Sequence, residues 1–196
     1  MKQKRIIMLL VIVFFFSIAK GEAQTSEFAE RLSETYQQFK DQNISTRRFK
    51  HSDLLPLIEK YKDKAGFEIN KVGKSIEGRS LNLISLGEGD TDVLLWSQMH
   101  GDESTATMAI LDILNLFDSE EFEKERELLL KELRIHFLPM LNPDGAEVFT
   151  RRNALGVDVN RDALRLQSPE SRTLKQVRDS LEADFGFNLH DQSRYY

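Results

Sequence analysis

Two short, predominantly apolar runs constrain the fold most: Val93 to Ser97 (VLLWS) and Ile135 to Leu138 (IHFL). Runs this short cannot make a buried helix, and they read as strands covered on both faces of a sheet. Helical segments separate them. Thr105 to Phe117 is a helix that is apolar almost all round, hence buried. Ser119 to Leu133 is a charged helix or helix-loop. Ser168 caps a helix with Pro169 at its first position and a stripe of Leu174, Val177, Leu181 and Phe185. Upstream, Ser52-Asp53 caps a helix carrying Leu54, Leu57, Ile58 and Tyr61, which Gly66 ends. Phe67 to Val72 and Ser80 to Leu86 form a hairpin-like pair around Gly73 to Arg79, and Phe187 to Leu189 is a last short strand. Such alternation predicts an α/β sheet with helices on both faces. Ligands bind such sheets beyond the carboxyl ends of the strands. Chemistry is therefore expected just after residues 97, 138 and 189.

The N-terminus is set aside from this fold. Lys2, Lys4 and Arg5 precede a 14-residue apolar run, Ile6 to Ala19, and Gly21-Glu22-Ala23 offers small residues before a cut. A bilayer span needs about 20 residues, so residues 1–23 read as a secretory signal peptide rather than an anchor. No membrane association is expected after cleavage, and the mature chain is expected to be secreted or periplasmic. Residues 24–50 are polar, mixed in sign, and read as an N-terminal arm with some helix; residues 51–196 read as the one folded domain. Without residues 1–23 the chain holds 23 basic and 31 acidic residues, a net charge of −8, which gives no electrostatic case for a nucleic-acid partner. There are no cysteines, which excludes a disulfide scaffold, a Cys-rich zinc module and thiol catalysis.

Each expected strand end carries polar residues of a telling kind. After the first comes Met99-His100-Gly101-Asp102-Glu103. His100 and Glu103, three apart, put an imidazole and a carboxylate on one side of a turn, and Gly101 lets the backbone bend. After the last comes His190. Two His and one Glu make a catalytic zinc set, with a fourth position left for water. After the middle strand, Asn142-Pro143-Asp144-Gly145 signals a turn, and residues 142–167 read as a long structured loop in which arginines recur. A guanidinium is a planar fork suited to a carboxylate or an oxyanion.

Four blocks in order resemble the zinc carboxypeptidases of the M14 family: Gly73-Lys74-Ser75-Ile76-Glu77-Gly78-Arg79; His100-Gly101-Asp102-Glu103; Asn142-Pro143-Asp144-Gly145 through Asn160-Arg161-Asp162; and Phe187-Asn188-Leu189-His190. The resemblance implies a mixed, largely parallel sheet, incomplete at its C-terminus, and one Zn²⁺ per chain held by His100, Glu103 and His190. It implies that Asn160 and Arg161 hold a substrate's terminal carboxylate. It assigns Arg151, two residues before Asn153, to polarising the scissile carbonyl, with Arg152 as the fallback. The substrates implied are peptide or protein C-termini, murein peptides among them. Asp191 departs from the small residues often found after the third ligand, and it reads equally as a support for that ligand or as a solvated side chain.

In the family the general base is a Glu well downstream of the third ligand, and Tyr196 lies only six residues past His190. The chain therefore reads as the N-terminal part of a longer exported metallocarboxypeptidase. The alternatives are a related zinc deacylase or amidase, and a non-catalytic zinc or peptide binder. His51 and His136 need no functional role: one lies in a polar pre-helix segment, the other is a packed or edge residue of its strand.

Overall fold

The computed structural model describes residues 21–44 and 46–191. The basic start and apolar run of the expected signal peptide lie outside the described residues, as do Tyr195 and Tyr196. The chain divides into two compact units, Met1–Lys40 and Asp41–Tyr196. In the first, α1 spans Gly21–Phe39. The expected cleavage point after Ala23 falls in its first turn, and the expected arm is helical to Phe39. No helix among the described residues is long and apolar enough to cross a membrane.

In the second unit the order is α2 (His51–Glu59), β1 (Phe67–Lys74), β2 (Ser80–Leu86), β3 (Thr91–Ser97), α3 (Thr105–Asp118), α4 (Glu123–Glu132), β4 (Leu133–Leu138), α5 (Pro143–Glu147), a 3₁₀ turn (Val159–Arg161), α6 (Pro169–Leu181) and β5 (Phe185–Leu189). The sheet is mixed, in the order β1-β2-β4-β3-β5. β1 pairs antiparallel with β2, and β2 antiparallel with β4. β4, β3 and β5 run parallel, with Leu95 opposite both Phe137 and Phe187. Their carboxyl ends thus line up on one rim of the sheet.

Both faces are covered. On one, Leu81, Leu83, Leu94 and Leu138 pack with Val177 of α6 in a single apolar cluster. On the other, Ser97 and Thr107 of α3 share a buried 2.8 Å hydrogen bond, while Ile110, Leu111 and Leu114 of α3 are fully buried. The apolar faces of β3 and α3 account for this packing, since each can leave water only against the other layer.

Several boundaries differ from expectation for physical reasons. The α2 helix starts at His51, not after Ser52-Asp53, because the Asp53 carboxylate reaches back to accept the Lys50 N–H at 2.8 Å and so works at the third helical position. It ends at Glu59, and the chain turns through Gly66 (φ +83°) into β1. Phe185 belongs to β5 rather than to the α6 stripe, because Glu182 takes a left-handed conformation (φ 48°) and breaks the helix. The long loop contains α5, which Asn142 caps by accepting the Gly145 N–H at 2.9 Å.

His51 and His136 are structural. The His51 ring meets the Ser80 carbonyl at 2.9 Å. His136 is buried, its Nδ1 accepting from Ser85 Oγ at 2.7 Å and its Nε2 donating to Asp92 at 2.9 Å, a polar row across β2, β4 and β3.

Candidate metal centre

The rim at the ends of β3, β4 and β5 carries the site. β3 ends at Ser97, and Gln98 then takes a left-handed backbone (φ 51°) that turns the chain sharply. The buried Gln98 amide holds the turn, donating to the Gly101 carbonyl at 2.9 Å and accepting from Thr107 at 2.9 Å. Gly101 serves close approach rather than a bend. A Cβ there would lie 2.0 Å from the Gly145 carbonyl carbon, so only glycine lets the His100 loop meet α5.

His100, Glu103 and His190 converge, with their candidate ligand atoms all within 4.8 Å of one another. His100 Nδ1 lies 2.8 Å from Glu103 Oε1, and His190 Nδ1 lies 2.6 Å from Glu103 Oε2. The two imidazole rings are 4.9 Å apart. His100 is buried, Glu103 half-buried and His190 more open, so the cluster faces outward along the rim.

Asp158, which sequence reasoning missed, organises this cluster. Its Oδ1 accepts from His100 Nε2 at 3.1 Å and from the Asn160 N–H at 3.0 Å. Its Oδ2 accepts from Arg151 Nε at 3.1 Å. Burial pushes the Asp158 carboxyl up, but the hydrogen bond from His100 and the Arg151 guanidinium outweigh it and hold the group below its usual range. The only signal in the sequence was its place two residues before Asn160, inside a loop without periodicity.

The donor set fits zinc. With Nε2 donating to Asp158, His100 presents the bare Nδ1 lone pair that metal ligation requires. That lone pair and Glu103 Oε1 are then two electron-rich atoms 2.8 Å apart, a pairing that needs a cation beside it. Here the guanidinium of Arg151 fills that part, with Nη1 donating to His100 Nδ1 at 3.1 Å and lying 3.5 Å from Glu103 Oε1. Two neutral imidazoles and a carboxylate are the ligand types of three-coordinate catalytic zinc sites.

The other predicted residues are placed as follows. Arg151 reaches the cluster, whereas Arg152 is exposed and donates to the Gly156 carbonyl. Asn160 approaches, its Nδ2 lying 3.4 Å from His190 Nε2. Arg161 is exposed, donating to the Asn160 carbonyl at 3.1 Å, and makes no contact with the trio among the described residues. Asn142 and Asp144 are struts. Asn142 Nδ2 donates to the carbonyls of Met99 and Arg151, joining the His100 loop to the arginine. Asp144 accepts from Ser75 Oγ at 2.6 Å, Arg79 Nη1 at 2.7 Å and the Glu77 N–H at 3.0 Å, so the Gly73–Arg79 block is bolted to α5.

Comparison with known proteins places the chain in a family. The sequence profile described as zinc carboxypeptidase, peptidase M14, matches residues 57–188. An uncharacterised protein of Zymomonas mobilis is 29% identical over 145 residues, 72% of this chain and 37% of its own length. The human carboxypeptidase N catalytic chain is 29% identical over 143 residues, 61% of this chain and 31% of its own. The chain thus spans about a third of the length of these curated relatives. The structure of a metallo-carboxypeptidase from Pseudomonas aeruginosa superposes with a TM-score of 0.66 at 24% identity, covering 74% of this chain and 40% of that one, which shows a shared fold. On the profile match, the ordered motifs and the common fold, the chain belongs to the zinc carboxypeptidase family.

Proposed function

We propose that the chain carries the metal-binding and carboxylate-anchoring part of an exported zinc metallocarboxypeptidase, which removes C-terminal residues from peptides or proteins. The observation that carries this reading is the convergence of His100, Glu103 and His190 with the Arg151 guanidinium set against them. Zinc bound there would act as a Lewis acid on a carbonyl and acidify a water toward a pKa of about 7.

The chain's own residues supply the rest of the chemistry. Asp158 orients His100 and Arg151 at once, so the positions of ligand and guanidinium are coupled. Released from the ligands, Arg151 is placed to stabilise negative charge developing on a scissile carbonyl oxygen. Asn160, beside His190, and the exposed Arg161 offer an amide and a bidentate fork for a free α-carboxylate. Proton transfer to the leaving amine is the role that the family resemblance assigns to a Glu downstream of the third ligand.

The discriminating assay compares a peptide with a free C-terminus against the same peptide amidated, using a form extended past Tyr196. Loss of the last residue from the free peptide alone is the expected result. Equal turnover of both, or release of an N-acyl group, would move the chain to the deacylase reading.

A further inference from the structure

Asp191 does not stand free in solvent. Its side chain is 7% exposed. Its Oδ2 accepts from Thr105 Oγ1 at 2.9 Å and from the Thr105 N–H at 3.3 Å, and it pairs with Arg47 Nη2 at 2.5 Å. Thr105 opens α3, two residues after Glu103, and Asp191 follows His190 directly. Arg47 closes the triangle. Its backbone carbonyl accepts from the buried Ser104 Oγ at 2.6 Å while its side chain holds Asp191.

From this geometry we infer that Asp191 is a positioning residue for the metal centre, clamping the strand end that carries His190 to the helix start that follows Glu103. The inference rests on the zinc reading above. His190 and Glu103 are 87 residues apart in sequence, and β5 pairs with only one strand among the described residues. The backbone ladder to β3 ends at Ser97 and Leu189, one residue short of His190, so it does not itself fix that imidazole. Asp191 adds the missing tie. Its carboxylate sits at the N-terminus of a 14-residue helix, where unpaired N–H groups and the helix dipole favour negative charge. Asp191 Oδ1 is buried with no partner among the described residues. A desolvated, half-satisfied carboxylate is costly, and a small residue would avoid that cost while losing the clamp. Supports behind metal ligands typically carry 10- to 100-fold in metal affinity.

The test measures the zinc dissociation constant of the full chain by competition with a chromophoric chelator, beside the thermal midpoint of each metal-free protein. Wild type, Asp191→Ala, Asp191→Asn, Thr105→Val and Arg47→Ala are compared. Asp191→Ala is expected to weaken zinc about 10- to 100-fold. Asp191→Asn, which keeps an acceptor for Thr105, is expected to recover part of the loss, and the exposed Arg47→Ala change to weaken zinc several-fold without unfolding the chain. The Co²⁺ d–d bands of Asp191→Ala should shift, marking an altered ligand geometry. A lowered midpoint with wild-type zinc affinity across the series would make Asp191 merely structural and overturn the inference. Failure of the wild type itself to bind zinc would instead overturn the proposed metal centre, and this inference with it.

Discussion

At the scale of single residues, Asp158 and Arg151 carry the sharpest expectations. Asp158 fixes the His100 tautomer through Nε2. Asp158→Ala should therefore weaken zinc about 10- to 100-fold, read by the same chelator competition, and Asp158→Asn should fall between. Arg151→Ala should lower kcat of an active, extended form with little change in KM, because its partner charge appears only in the transition state; Arg161→Ala should mainly raise KM. Arg152→Ala, at an exposed guanidinium that donates to the Gly156 carbonyl, should change neither. Asp162 sets a pH dependence of stability. It is buried and accepts from the Gln167 N–H, the Ser168 N–H and Ser168 Oγ. Burial pushes its carboxyl up, but these bonds outweigh it and hold the group below its ordinary value. In the window between the depressed folded value and the unfolded value near 3.9, the unfolded chain binds more protons. Stability from Asp162 is thus full above that window and lost as pH falls through it. Acid titrations of the thermal midpoint should be flatter for Asp162→Asn than for wild type.

At the scale of elements, what was legible in the sequence was what periodicity and strand-end position record. VLLWS and IHFL are strands of the sheet interior because most of their side chains are apolar, and His100 and His190 stand where parallel strands end. Irregular segments are legible only by their chain chemistry. Pro143 at the start of α5 was visible, but the helix is five residues long and owes its existence to the Asn142 cap and to contact with the His100 loop. Asp158 was invisible for the same reason: its partners lie 58 and 7 residues away and no spacing rule joins them. Gly101 was read as a bend because the sequence shows a glycine but not the backbone opposite. Gly101→Ala tests the difference. A bend would tolerate the substitution, whereas backbone at 2.0 Å cannot. A loss of about 1–3 kcal/mol or more in denaturant unfolding is expected, together with weakened zinc, because α5 and the His100 loop must part.

At the scale of the whole molecule, the parallel trio β4-β3-β5 places His100, Glu103 and His190, from two distant stretches of chain, on one rim, and the loop after β4 supplies Asp158 and Arg151 to the same place. The antiparallel pair β1-β2 contributes scaffold, tied to that loop through Asp144. Export would be registered at the other end of the chain: N-terminal sequencing of material outside the cytoplasm should begin at Gln24, and an intact Met1 in the membrane fraction would favour an anchor. The measurement closest to the central claim is the metal content of the purified protein beside His100→Ala and His190→Ala. One zinc per chain in the wild type, with little in either variant, is the expected result. Equal zinc in all three proteins would contradict the assignment of His100, Glu103 and His190 as the metal ligands.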